Sequence, residues 1–141
     1  MKRYLIDTTV LTAGLLNRQP AVELLTPWIT RREAATSILV YGEVIEYIKS
    51  FANFPTRYAQ LRELVQEVSP YFVTYSIMER YAEIRRQMRA QQTGLIGDID
   101  TLIAATALER NLTVVTTDAD FERVPGLKVI RLERTSLEVI R

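Results

Sequence analysis

The chain has 141 residues, 48% hydrophobic and 25% charged, with five Gly, five Pro, no Cys and no His. That length builds one domain over 1–141, with a core large enough to fold without disulfides or a structural metal. The missing Cys and His exclude disulfides, thiolate nucleophiles, imidazole bases and Cys-ligated zinc or iron–sulfur sites, and a net charge of +1 excludes a globally basic nucleic-acid binder.

A strand is expected at Tyr4–Ile6, with Thr8 or Thr9 opening the helix after it. Helical patterns cover 21–31, 37–49 and 57–68, the last stopping short of Pro70 as the residue before a proline requires. A strand pattern surrounds 71–73. Ser76 and Glu79 stand at capping-box spacing and mark the start of a helix over 76–91. The next helix, Asp98–Arg110, carries Ala104, Ala105 and Ala107, small enough to let it sit close to a sheet. Strands at Thr113–Thr116 and 128–132 complete the set. This alternation predicts an α/β sandwich around a mostly parallel sheet, with its site at the carboxyl ends of the strands. The strand order stays open.

No segment reaches the roughly 18 apolar residues of a membrane span. The start MKRYLIDTTVLTAGLL is interrupted by Asp7 and lacks a small-residue cleavage site, so a signal peptide is not expected. Without an export signal or Cys, a cytoplasmic location is expected.

All five Asp residues, Asp7, Asp98, Asp100, Asp118 and Asp120, fall at strand ends or helix starts, where Asp also serves as cap or turn residue. Asp7 directly follows the first strand and suits an N-cap as well as a ligand. Asp118 repeats that arrangement after 113–116; in a parallel sheet both tips reach one rim, which capping alone does not require. Asp120 suits an Asx turn or the same site. Asp98 and Asp100 open a helix, where the dipole stabilises a carboxylate by roughly 0.3–1 kcal/mol. One cap per helix suffices, so the pair asks for a second reason, and its two members need not face the same way.

Glu43 has Leu39, Val40, Glu46 and Tyr47 as helical neighbours, which places it within or at the border of a core-facing stripe. Within the stripe a carboxylate is costly unless paired or metal-bound. Glu46 instead reaches Lys49 or Ser50 at the solvent edge. Gly42 beside Glu43 costs about 1 kcal/mol relative to Ala in a helix and suggests a close approach there. Asp7, Glu43, Asp100 and Asp118 thus form a candidate cluster of four carboxylates. Four such charges repel unless they take up protons or a cation neutralises them. Oxygen donors without His or Cys select Mg²⁺ or Mn²⁺, and such sites commonly serve phosphoryl chemistry. The residues therefore point to a metal-dependent phosphodiesterase or phosphatase.

The string Asp7-Thr8-Thr9-Val10-Leu11 resembles the opening motif of PIN-domain ribonucleases, and Glu43 in SILVYGEVIEYI their helix-borne glutamate. The stretch GDIDTLIAATALERNLTVVTTDADFERVPGL resembles their C-terminal half, particularly in VapC-type toxins of toxin–antitoxin modules. The resemblance runs from 4 to about 132, is general in character over 51–74, and rests most on DxLIAATAL and TTDxDF in this order and spacing. It implies a PIN-like three-layer α/β/α fold, Mg²⁺-dependent RNA cleavage, a homodimer and a cognate antitoxin. It places the four acidic positions on Asp7, Glu43, Asp100 rather than Asp98, and Asp118, a variable position whose role Asp120 is able to share, with Thr9 as the hydroxyl beside the first; Asp98 is left as a candidate supporting acid. On this pattern Asp7 and Asp100 hold one Mg²⁺, while Glu43 and Asp118 bind through water or hold a second ion. Cleavage then leaves a 5′-phosphate and a 3′-hydroxyl.

RNA approaching an acidic pocket calls for flanking cations. Arg85, Arg86 and Arg89, with Arg31 and Arg32, are the densest groups; they contact substrate or pair with acids such as Glu79 and Glu83. Antitoxin docking calls for a groove that takes an amphipathic helix and a basic side chain. Tyr41, Tyr47, Phe51, Phe54 and Tyr58 line such a groove, the core or a dimer contact. Three rivals remain. An aspartyl-nucleophile phosphatase commonly has a second Asp where Thr9 stands. A receiver domain needs a lysine near the last strands, where only Lys128 is found. A catalytically silent PIN-like RNA-binding or protein-interaction module is expected to lack carboxylates that are all present here.

Overall fold

Tyr4-Leu5-Ile6 forms strand β1 (Tyr4–Ile6) in the computed structural model, which describes residues 1–137. Residues 138–141 of the expected domain lie outside that description. Four further strands follow: β2 (Ala34–Ser37), β3 (Pro70–Tyr71), β4 (Thr113–Thr116) and β5 (Val129–Arg131). All neighbours pair in parallel, in the order β3-β2-β1-β4-β5. Leu5 stands in register between Ala35 and Val114, so β1 and β4 are central. Because β2 and β3 extend the sheet to one side of β1 and β4 and β5 to the other, the chain reverses direction between β1 and β4. That reversal opens a crevice at their carboxyl ends.

The helices are α1 (Thr8–Leu15), α2 (Gln19–Thr30), α3 (Ile38–Ile48), α4 (Phe54–Val68), α5 (Tyr75–Arg89) and α6 (Asp98–Arg110). Right-handed crossovers carry α1 to α4 over one face of the sheet and α5 and α6 over the other, giving the expected α/β/α layers. Leu5, Ile6, Val114 and Val115 fill the centre at 0% exposure. Val10, Leu11, Val40, Val44, Ile48 and Leu61 bury the first helical layer, and Ile77, Ile84, Met88 and Ile103 the second. Each such side chain contributes roughly 1.5–3 kcal/mol of apolar burial.

Several boundaries depart from the sequence expectation for identifiable reasons. Strand β2 carries no pattern that announces it: Ala34-Ala35-Thr36-Ser37 is a run of small residues, yet every one is buried. Helices α2 and α4 begin earlier than 21 and 57, because Pro20 and Pro55 occupy their first turns, where a missing N–H does no harm. Helix α5 is capped by Thr74, whose hydroxyl accepts from the Ile77 amide at 3.3 Å, so Ser76 lies inside the helix. Strand β3 stops at Tyr71, leaving Phe72 67% exposed. The close approach expected at Gly42 is absent, since a Cβ there would meet nothing within 4 Å. Gly14 is where two helices close: a Cβ on it would lie 2.8 Å from Leu25 Cδ1 of α2.

Candidate active site

Asp7 sits where β1 ends and α1 begins, 7% exposed. Its backbone has the extended conformation of an N-cap, with φ −79° and ψ 168°, but its carboxylate makes no capping hydrogen bond. Instead Oδ2 accepts from the Thr116 hydroxyl of β4 at 2.6 Å. Of the two roles the residues left open, the geometry withholds the cap. The same Thr116 oxygen accepts from the Asp118 amide at 3.0 Å, so one hydroxyl ties the tips of both central strands together. Asp118 does cap: its Oδ1 accepts from the Asp120 amide at 2.9 Å and starts the 3₁₀ turn Ala119–Arg123.

Glu43 reaches the same crevice from α3. The buried stripe of that helix is Val40, Val44 and Ile48. Glu43 borders the stripe half-buried, and its Oε1 accepts from the Thr8 hydroxyl at 2.6 Å. Glu46 points to solvent and makes no ion pair among the described residues. Asp100 enters from the first turn of α6.

Charge binds these residues into one site. Burial pushes the Asp7 carboxyl above its ordinary range; the Thr116 hydroxyl and Thr8 amide oppose this, while Glu43 and Asp118 add to it. Asp100 is pushed up to about 7, first by burial and then by the negative charges of Asp7, Asp118, Glu43 and Asp120. Acids from α3, from α6 and from beyond β1 and β4 therefore act on one another at one edge of the sheet.

The remaining acids have partners of their own, Asp120 while still acting on Asp100 and Asp98 away from it. Asp120 pairs with Arg123 at 3.4 Å, and that guanidinium also donates to the carbonyls of Thr93 (2.8 Å) and Gly94 (2.5 Å) in the loop leading to α6. Asp98 turns away to α5: its Oδ1 accepts from Arg85 at 2.6 Å and from the Tyr81 hydroxyl at 3.1 Å. It is not among the charges that raise Asp100. The α5 arginines are partly committed, Arg85 to Asp98 and Arg86 to Glu83 at 3.8 Å. Arg31 pairs with Glu33 at the amino-terminal edge of the sheet, away from the acids.

The residues that can hold a cation are Asp7, Glu43, Asp100 and Asp118. Their donor set is all oxygen, and the raised Asp100 marks negative charge that a cation would relieve. Among the described residues no three carboxylates converge closely enough to enclose a bare ion. An all-oxygen donor set of this kind suits a hard divalent cation held partly through its own waters rather than one enclosed by carboxylates.

Sequence reasoning missed Thr116 and Arg123. Thr116 had a signal, as a polar residue closing an otherwise apolar strand two places before Asp118. Of the two threonines that follow the first Asp, Thr8 is the one whose hydroxyl donates to an acid of the site, Glu43.

The family model described as PIN domain matches residues 4–127. A comparison with curated protein sequences gives no match. Among solved structures, the chain resembles a DNA-bound VapBC from Salmonella typhimurium at TM-score 0.81 and 20% identity, covering 93% of this chain and 98% of that one. VapBC2 of Rickettsia felis, bound to a promoter DNA fragment, gives TM-score 0.80 and 20% identity over 92% and 98%. FitAcB of Neisseria gonorrhoeae gives TM-score 0.72 and 22% identity over 91% and 96%. The structural neighbours of this chain are thus VapC-type chains of toxin–antitoxin complexes, and PIN-domain proteins are typically nucleases that use a divalent metal. No helix among the described residues is long and apolar enough to cross a membrane. With a PIN model matching most of its length and a five-stranded parallel α/β/α fold, the chain belongs to the PIN-domain family.

Proposed function

We propose that this chain is a Mg²⁺-dependent endoribonuclease, the toxin of a type II toxin–antitoxin pair, working as a single PIN-like domain over 1–141. The observation that carries the reading is the gathering of Asp7, Glu43, Asp100 and Asp118 at the crevice between β1 and β4, where burial first and then the charges of its neighbours push Asp100 up to about 7. A protein gains nothing in stability from such a cluster, whereas a metal-assisted phosphodiester hydrolase needs one. A bound Mg²⁺, or Mn²⁺ in its place, supplies positive charge for the phosphate oxygens and lowers the pKa of a coordinated water.

The side chains do the positioning. Thr116 fixes Asp7 by Oδ2, Thr8 fixes Glu43 by Oε1 and the Asp120 amide fixes Asp118 by Oδ1. Each of these acids then has a second oxygen to face a cation or its waters. Asp100, pushed up to about 7, suits the acceptance of a proton from the attacking water. The expected products are a 5′-phosphate and a 3′-hydroxyl.

A cognate antitoxin and a homodimer belong to the same reading, supported by likeness to chains solved as VapBC, FitAB and other toxin–antitoxin complexes. A cytoplasmic location goes with RNA as the substrate. The test is induced expression with sequencing of newly created RNA 5′ ends. Growth arrest with new 5′-phosphate ends, both lost in Asp7→Asn, is the expected outcome. Undisturbed growth and RNA would leave the chain a catalytically silent PIN-like RNA-binding or protein-interaction module.

A further inference from the structure

A groove of about 310 Å³ runs beside α1, lined by Thr8, Thr9, Thr12, Arg18, Tyr47 and Arg134 among others. Two features bear on what it holds. It adjoins the acidic site, because Thr8 both lines it and donates to Glu43. It also holds two guanidinium groups, Arg18 from the turn before α2 and Arg134 from the segment after β5, that make no ion pair among the described residues. Most other arginines near acids are paired, as Arg31, Arg80, Arg85, Arg123 and Arg131 are. Tyr47, 46% exposed, adds an aromatic face to the wall.

We infer that this groove binds the phosphate backbone of the RNA strand on one side of the scissile bond, with Arg18 and Arg134 on its phosphates and Tyr47 under a base. The inference rests on the nuclease reading and extends it, naming where the substrate lies. Two guanidiniums that make no ion pair among the described residues bind phosphate oxygens in bidentate fashion and repel a basic peptide. Hydroxyls of Thr9 and Thr12 are suited to phosphate or sugar oxygens, which carry no sequence information. An exposed aromatic beside a basic groove is the usual platform for an unpaired base, so the strand is single-stranded here. The groove also resolves an electrostatic difficulty: a polyanion approaching four carboxylates needs positive charge within reach of them, and the α5 arginines are partly neutralised by Asp98 and Glu83.

The experiment measures binding of a fluorescein-labelled random-sequence single-stranded RNA by anisotropy across a KCl series with Mg²⁺ present. The parent is Asp100→Asn, which suppresses cleavage. Arg18→Gln/Arg134→Gln in that background should weaken binding and flatten the slope of log affinity against log salt by about 0.7 for each phosphate that is no longer neutralised. Arg18→Lys/Arg134→Lys should restore most of the slope, and Arg31→Gln, paired with Glu33 at the far edge, should leave it unchanged. Tyr47→Ala should weaken binding without altering the slope, since stacking releases no counterions. An unchanged slope in the double Gln variant overturns the groove assignment alone and leaves the groove to a polypeptide partner. A parent that binds no RNA at any salt overturns the nuclease reading as well.

Discussion

The hydroxyl of Thr116 donates to Asp7 Oδ2 at 2.6 Å across the two central strands, and its oxygen accepts from the Asp118 amide at 3.0 Å. This one side chain orients the most buried acid of the site and the turn that presents its neighbour. Thr116→Val keeps the shape and removes the hydroxyl. Asp7 then loses the hydrogen bond that most opposes its burial, and its pKa rises further. Removing a group that orients a metal ligand typically costs 10- to 100-fold in activity or metal affinity, which is the expected loss in RNA cleavage. Thr116→Ser should restore most of it. Equal activity in the Val variant would show that Asp7 does not need this partner.

Asp100 makes stability depend on pH in a defined direction. Its folded-state pKa, about 7, lies above the ordinary 3.8, so between these values the folded chain holds a proton that the unfolded chain has lost. The stability this confers is complete below about pH 4 and is lost as pH rises through 7. Asp7, also raised, acts in the same sense. In the presence of EDTA, the Tm contribution of the cluster should fall from pH 5 to pH 8, and Asp100→Asn should flatten that fall. A wild-type profile identical to that of Asp100→Asn would remove Asp100 from the cluster.

Divalent metal should reverse this loss. A cation that binds only the folded state at a hundredfold excess over its Kd stabilises by about 2.7 kcal/mol, which amounts to several degrees in Tm for a chain of this size. Thermal melting at pH 8 with rising Mg²⁺ should show the shift in the wild type, and little of it in Asp7→Asn or Asp100→Asn. Because the raised carboxyls must lose protons to bind the cation, the same titration at pH 5 should give a smaller shift.

Arg123 connects the site to the loop before α6. It donates to the Thr93 and Gly94 carbonyls and pairs with Asp120. Arg123→Met keeps the apolar stem but leaves those carbonyls without their donor, a loss of roughly 1–3 kcal/mol. Denaturant unfolding should report that loss, and hydrogen exchange should rise over 91–97. Exchange unchanged in that loop would show that Arg123 does not hold it.

Asp7, Asp100 and Asp118 were legible because they stand at the ends of recognisable elements, whereas Glu43, in the middle of α3, was legible only as a carboxylate among apolar neighbours. Tyr4-Leu5-Ile6 and Thr113-Val114-Val115-Thr116 are β-rich runs that each lead to an Asp, and parallel strands deliver both to one rim. Asp100 was separable from Asp98 through the DxLIAATAL pattern, and in the fold the two acids do face different partners. The features that stayed hidden are those determined by packing. Ala34 to Ser37 has the small residues of a turn or loop, and becomes a strand because β1 and β3 hold it from both sides. The stripe of α3 falls on Val40, Val44 and Ile48, one position away from Glu43, and only packing against the sheet decides that rotation. Thr8 and Thr9 are equivalent in composition; the helix turn between them sends one hydroxyl to Glu43 and leaves the other along the groove.

The central claim, that these carboxylates hydrolyse RNA with a divalent cation, is tested most directly with purified protein and total RNA. The wild type, Asp7→Asn and Asp100→Asn are incubated with Mg²⁺ and with EDTA, and cleavage is read on gels and by 5′-end sequencing. Cleavage by the wild type with Mg²⁺ alone, abolished by EDTA and by either substitution while both variants remain folded, is the predicted result. Wild-type cleavage by either variant, or by the chelated enzyme, would contradict it.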